Sequence, residues 1–324
     1  MKAENKQLIG HLLKSDEPGV RLKILVDVLE RPLVSGEVHE TQQAFQDSEL
    51  VQNLLSEIEV ERPLTRGSYN KWMGGHWCLS ILGDFPYPQG DERLLPWREQ
   101  QLEWLFGEHH QDSIKKRMIN GLQRRCASQE GNAVFSQLRL GIADDRIHRL
   151  VESLIKWQWP DGGWNCDKNP EAANSSFMET LIPLRGLIEY TRHFDHPAAK
   201  QAAERAADIF LKRNMYLRQS DGSVMRRGFD KLHYPCYWQY DILFGLKVMS
   251  EGGWQDDPRC EKALDLLESK RLSDNGFPSE ERYYHKNPEK SGYSLIDWGG
   301  TSKRRLNPWV SVDALTVLKR AGRL

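Results

Sequence analysis

The stretch Trp157-Gln158-Trp159-Pro160-Asp161-Gly162-Gly163-Trp164-Asn165 decides the reading of this 324-residue chain. Its glutamine, glycine and tryptophan are spaced Gln-x-x-x-Gly-x-Trp. Asp161-Gly162-Gly163 supplies a tight turn, because glycine tolerates positive φ. Trp164 can then fold its large apolar ring back against helix ends. Gln158, Gly162 and Trp164 are therefore assigned a structural role and no catalysis.

Outward from this turn, a pattern repeats. A helix-like segment ends near a glycine, a short loop follows, and an aspartate opens a second helix-like segment, at Asp91-Glu92-Arg93, Asp144-Asp145-Arg146, Asp195-His196-Pro197 and Asp256-Asp257-Pro258. Aspartate accepts from the free N–H groups of a first helical turn, and proline suits that turn because it has no N–H to satisfy. These starts lie about 50 to 60 residues apart, the size of one long αα-hairpin. The first helices are predicted at approximately His76–Leu82, Ala133–Leu140, Ser176–Tyr190 and Tyr237–Met249, with a final half-unit at Trp309–Lys319. Phe177, Leu181, Leu184, Leu187 and Ile188 show the helical spacing. The second helices run into Trp104-Leu105, Trp157, Phe210-Leu211 and Leu266-Leu267. No stretch alternates with period two for long enough to make a strand, so the prediction is an all-α chain.

Ahead of the repeats, Leu12 to Arg21 reads as a helix end, a turn and a new helix through Leu29, resembling one HEAT-like hairpin. Thr41 to Ile58 reads as helical. Glu61 to Tyr69 sits where another turn of the Gln158–Trp164 kind would fall, without its signature. Residues 1–69 are accordingly read as an N-terminal helical cap and 70–324 as the repeat array, whose end units must cover their apolar faces. Ser279 to Asn307 is longer than an ordinary connection and reads either as a functional loop or as a disordered spacer.

Composition narrows the function classes. With 45 Lys+Arg against 46 Asp+Glu, bulk charge gives no reason to expect nucleic acid. The run Lys115-Lys116-Arg117 with Arg124-Arg125 has no interleaved aromatics and reads as a solvated face. No apolar run approaches the roughly 20 residues that span a bilayer, and Met1 to Lys6 lacks the core of a signal peptide. Five cysteines without CxxC spacing suit reduced thiols, so a cytoplasmic location is expected. The sequence leaves the oligomeric state open.

The hairpin period, the Gln158/Gly162/Trp164 match and Asn174-Ser175-Ser176-Phe177 opening the next helix resemble the superfamily of squalene cyclases and protein prenyltransferase β-subunits. The resemblance covers approximately residues 70–324 and is degenerate at Arg218-x-x-x-Gly222-x-Val224 and Arg271-x-x-x-Asn275-x-Phe277. It implies an α/α toroid, with alternate helices forming an inner ring around a cavity for a small, largely apolar and perhaps isoprenoid ligand. Cyclases of this kind protonate an alkene with Asp-x-Asp-Asp, which this chain lacks; Asp144-Asp145 and Asp256-Asp257 are read as caps. The prenyltransferases hold zinc with Asp-x-Cys and a distant histidine. Here the nearest counterparts are Cys166-Asp167 in the opposite order and His233, so no cofactor is expected and no residue is assigned to a metal, although Cys166, Asp167, His233 and Cys236 could supply one. His109-His110 is read as solvated.

Three polar clusters precede first helices: Arg124 to Asn132, Asn165-Cys166-Asp167 leading to Asn174 and Glu179, and His233 to Asp241. Turns between helices would bring them to one rim. Glu130, Cys166, His233 and Asp241 are the catalytic candidates, because acid, thiol, imidazole and carboxylate are the groups that move protons or attack. Arg124, Asn174, Glu179, Tyr237, Trp238 and Asp313 are the binding candidates. Aligning Gly245 with Val317 places Asp241 and Asp313 at one repeat position. Three functions stay open: an enzyme with a central cavity, a non-catalytic binding or scaffold protein, and a carbohydrate-active α/α barrel.

Overall fold

The computed structural model describes residues 2–58 and 64–324. The expectation for Glu61 to Tyr69 falls partly outside them. Fourteen α-helices account for the regular structure among the described residues, beside one β-hairpin of two-residue strands, β1 (Met118–Ile119) and β2 (Leu122–Gln123). The fold is predominantly helical, and the hairpin amends the expectation of no strands. Its cause is local: Asn120 and Gly121 adopt φ of +51° and +73°, which turns adjacent strands back on each other. No helix among the described residues is long and apolar enough to cross a membrane.

Two kinds of helix alternate along the chain. In α5 (Gly75–Gly83), α8 (Ser128–Arg139), α10 (Phe177–His193), α12 (Ile242–Glu251) and α14 (Pro308–Arg320), nearly every residue of the central turns is buried, whichever way it faces. By contrast α6 (Leu95–Phe106), α9 (Arg146–Trp157) and α13 (Glu261–Ser269) bury one stripe, as Ile147, Leu150, Val151 and Leu154 do on α9. Helix α11 (Pro197–Leu211) does the same with an alanine-rich stripe that lets it pack closely on α10. The remaining helices are α1 (Ala3–Leu12), α2 (Pro18–Lys23), α3 (Gly36–Gln46), α4 (Glu49–Leu55) and α7 (Glu108–Lys115).

The fully buried helices pack in sequence: α5 on α8, α8 on α10, α10 on α12 and α12 on α14. The α8–α10 contact is the closest, and glycine is the reason. A Cβ at Gly131 would meet the Pro183 backbone at 2.6 Å, and one at Gly186 would meet the Gly131 carbonyl at 2.6 Å. Helix α14 also packs on the π-helical turn Ile24–Val28 that continues α2. The segment read as continuous from Thr41 to Ile58 breaks at Asp47-Ser48, where the Ser48 hydroxyl accepts from the Val51 N–H at 3.3 Å and starts α4.

Capping follows the predicted aspartates with one change. Asp91, Asp144 and Asp257 accept from the N–H two residues on, at 3.0, 3.0 and 2.9 Å. At the third start the cap is His196, whose ring accepts from the Ala199 N–H at 3.1 Å, and not Asp195. Helix α12 begins at Ile242, five residues after the predicted Tyr237, because Tyr237 has a φ of +39° and Asp241 is the cap.

Around the opening stretch, Gly162 adopts a φ of +108°, and a Cβ there would meet the Arg205 carbonyl of α11 at 2.6 Å. The Gln158 amide donates to the carbonyls of Gly162 and Ala202, each at 2.8 Å. The Trp164 indole is buried and donates to the Leu154 carbonyl at 2.9 Å. This turn joins the end of α9 to α11. The long loop 279–307 is anchored against the helices: Trp298 is buried between Tyr234 and Trp309, and the Asn307 amide holds the Trp298 carbonyl at 2.7 Å.

Candidate functional site

The predicted site residues fall into three groups. The first lies where the β-hairpin, the start of α8, the loop after Trp164 and the start of α10 meet. Glu130, on the first turn of α8, is buried, lies 3.2 Å from the His110 Nε2 and 3.4 Å from the Arg125 guanidinium, and keeps its Oε2 without a partner. Arg125 also bonds His110 and Gln129. His110 is thus buried inside this cluster and not solvated, because Trp104 packs on one side of it and Glu130 offers it a carboxylate.

Beside this cluster stands Glu179, on the first turn of α10 and 8% exposed. Its Oε2 accepts from the Ser128 N–H at 3.1 Å, and its Oε1 lies 3.6 Å from the Cys166 thiol. Burial, reinforced by the nearby Glu130 charge, outweighs these bonds and raises the Glu179 carboxyl above its ordinary range. No cationic side chain makes an ion pair with it among the described residues. Cys126, which the sequence reading did not single out, completes the group: the sulfurs of Cys126 and Cys166 and a Glu179 oxygen all lie within 4.8 Å of one another. Proximity of the two thiols lowers the Cys126 thiol below its ordinary value and, together with burial and the Glu179 charge, raises that of Cys166.

Arg124 and Asn174 hold this region together. The Arg124 side chain is buried over the Trp159 ring and donates to the carbonyls of Asp167, Pro170 and Ala172 at 2.9, 3.1 and 3.1 Å. Arg124 and Arg125 are buried while Lys115 and Lys116 are exposed, so the basic run is not one solvated face. Asn174 is exposed and offers its carbonyl to the Asn165 amide at 2.8 Å.

The second group is His233 with Asp241. Both are buried, and the Asp241 Oδ2 lies 2.8 Å from the His233 Nδ1 and accepts from the His233 N–H at 2.8 Å. The Asp241 Oδ1 accepts from the Phe244 N–H at 2.7 Å, so one carboxylate caps α12 and holds the His233 backbone. Neither ring nitrogen of His233 makes a hydrogen bond, although Nδ1 lies close to the carboxylate. Tyr237 stacks on Trp72 with ring centroids 3.8 Å apart, and Trp238 lines a cavity of about 360 Å³ with Arg226, Arg227, Gln239 and Tyr283.

The third group contains Asp313, away from the repeat position assigned to it. Asp241 precedes α12, whereas Asp313 lies well inside α14, opposite Lys247 on α12 at 3.0 Å. It also meets Lys23 of α2, and both lysines reach Asp84 at the end of α5, at 3.2 and 2.7 Å. Arg185 of α10 bonds Asp84 at 2.7 Å and Glu251 at 2.6 Å. Three cations and three carboxylates thus pair across five helices. Burial opposes the Asp84 charge, but Lys23, Lys247 and Arg185 outweigh it and hold the carboxyl well below the ordinary range.

On one side of this network lies a space of only about 30 Å³, bounded by Tyr234, Pro235, Cys236, Tyr237 and Phe244. On the other is a cavity of about 350 Å³, lined by Asp27, Asp84, Arg139, Arg185, Glu189, Arg192, Lys247, Glu251 and Arg320 among others. Arg139 and Arg320 are half-buried and make no ion pair among the described residues, though Arg320 donates to the Ser250 hydroxyl at 3.1 Å. Sequence reading missed this cavity, since its arginines come from three helices far apart in the chain, α8, α10 and α14.

A comparison with protein-family models finds none that matches this chain, and a comparison with curated proteins finds no match either.

Proposed function

We propose that the chain is an α/α toroid that binds a small hydrophilic anion on its axis. The ring reading rests on the order of packing. α5, α8, α10, α12 and α14 pack one on the next and α14 packs on α2 and its π-helical turn, while Lys23 of α2 joins Asp84 of α5 to Asp313 of α14. The N-terminal hairpin then counts as a member of the ring, not a lid over it. The alternation of fully buried and one-sided helices supports inner and outer layers, as in the squalene cyclase and prenyltransferase superfamily that the Gln158–Trp164 turn resembles.

The observation that carries the ligand class is the pair of arginines, Arg139 and Arg320, which line a cavity of about 350 Å³ and make no close ion pair among the described residues. Guanidinium groups bind carboxylates and phosphates through paired N–H donors. The largely apolar ligand implied by the family resemblance suits this cavity poorly, since its walls are mainly charged. No reaction is assigned to it.

Thermal shift and calorimetry against citrate, inorganic phosphate, nucleotides, prenyl diphosphates and squalene test the reading. A hydrophilic anion should stabilise the protein, and Arg139→Ala with Arg320→Ala should weaken its binding by about tenfold or more, the loss of charge-assisted bonds. Stabilisation by squalene alone, or equal anion binding by the double variant, would refute it.

A further inference from the structure

The rim cluster carries a second, independent assignment. Cys126 lies in the segment between the β-hairpin and α8, Cys166 follows the Trp164 turn, and Glu179 is on the first turn of α10. We propose that Cys126, Cys166 and Glu179 bind one zinc ion, leaving a fourth coordination position open.

Donor chemistry supports it first. Two thiolates and a carboxylate suit a borderline-soft ion, whereas magnesium and calcium require all-oxygen sets. Zinc takes sulfur at about 2.3 Å and carboxylate oxygen at about 2.0–2.2 Å, which brings such donors within about 4 Å of each other. The three atoms here already lie within 4.8 Å of one another, so side-chain adjustment of less than about 1 Å closes the set.

The second observation is a buried carboxyl group without a counter-ion among the described residues. Glu179 is more than nine-tenths buried, and its partners are a backbone N–H and a thiol; the neighbouring carboxylate, Glu130, is taken up by Arg125 and His110. A buried carboxylate without a counter-ion is costly, and a divalent cation is the counter-ion the surrounding donors fit.

Third, the donors are held in place. Arg124 binds three carbonyls of the loop that carries Cys166, and the Thr180 hydroxyl accepts from the Trp164 N–H at 3.1 Å, pinning that loop to α10. The Ser128 N–H on Oε2 leaves Oε1 turned toward Cys166. Binding would release the thiol protons to solvent and leave two thiolates and one carboxylate on Zn²⁺. Both cysteines are partly exposed, so water can reach the remaining position, the arrangement of catalytic and not closed structural zinc sites.

The test uses the full chain, freshly reduced. Zinc content by mass spectrometry of protein from zinc-supplemented culture should be one ion per chain. Cobalt titration should give the thiolate-to-cobalt charge-transfer band and the visible spectrum of a tetrahedral site. Cys126→Ser and Cys166→Ser should bind cobalt at least about a hundredfold more weakly, a larger loss than outer-sphere changes cause. Cys260→Ser, remote from the cluster, should bind as the parent does. Glu179→Gln guards against a folding artefact: it should weaken binding while circular dichroism stays that of the parent. Absence of stoichiometric zinc, an unchanged cobalt spectrum in Cys166→Ser, or recovery of Cys126 and Cys166 only as a disulfide would overturn the assignment.

Discussion

Glu179 shows how a single residue's surroundings determine its chemistry. In metal-free protein its carboxyl stands above the ordinary glutamate range, chiefly through burial. The sign follows: below about pH 4, near the ordinary glutamate value, the residue is protonated folded or unfolded and burial costs nothing. As pH rises through that value the unfolded chain ionises first, and the folded state loses relative stability. Glu179→Gln removes the titration while keeping the shape. Denaturant unfolding of chelator-treated protein should therefore show the variant gaining on the parent as pH rises above about 4. A difference that stays flat across this range would contradict the account. In the sequence Glu179 and Cys166 could be picked out, since both lie near the Gln158–Trp164 turn. Cys126 could not be paired with them, because nothing in local spacing relates residues that meet only when α8 packs on α10.

At the scale of the element, Asp241 serves α12 and the preceding loop together. It caps the helix through the Phe244 N–H and holds the His233 backbone N–H. Replacing it by alanine should cost at least about 3 kcal/mol, from the lost cap and the unsatisfied groups left buried. Asp241→Asn, which keeps an acceptor for Phe244, should cost measurably less; urea midpoints compare the two. Equal losses would mean that the cap contributes little. Helix starts such as this were legible wherever aspartate and proline announced them. The β-hairpin was legible too, through Asn120-Gly121, a strong short-range turn signal even where the flanking strands are too short to show alternation. Helix α12 was placed too early because aromatic spacing from Tyr237 to Tyr240 resembles a helical face although the backbone there turns.

For the whole molecule, the network of Lys23, Asp84, Arg185, Lys247, Glu251 and Asp313 joins helices far apart in the chain. A buried pair adds little net stability over an apolar replacement, yet removing one member strands the other. Lys247→Met should thus destabilise by about 3–5 kcal/mol, leaving Asp84 and Asp313 each short of a cation. Lys247→Met with Asp313→Leu should cost less than the sum of the two single changes, with a coupling of about 1 kcal/mol or more in a double-mutant cycle on unfolding free energies. Additive losses would show that the two groups do not act as a unit. The same network argues that α2 is integral to the fold, since Lys23 reaches Asp84 and Asp313 from it.

By itself the sequence determined the helical class, most helix starts and the turn at Gln158–Trp164, because each depends on residues within one or two helical turns of each other. Only the tertiary structure decided which polar groups meet. A helix advances about 100° per residue, so a shift of one or two positions sends a side chain to another face. Asp313 illustrates this: read as the counterpart of Asp241 at a helix mouth, it lies inside α14 opposite Lys247. Cys126, Cys166 and Glu179 illustrate it again, since their approach is set by how closely Gly131 and Gly186 let α8 and α10 pack.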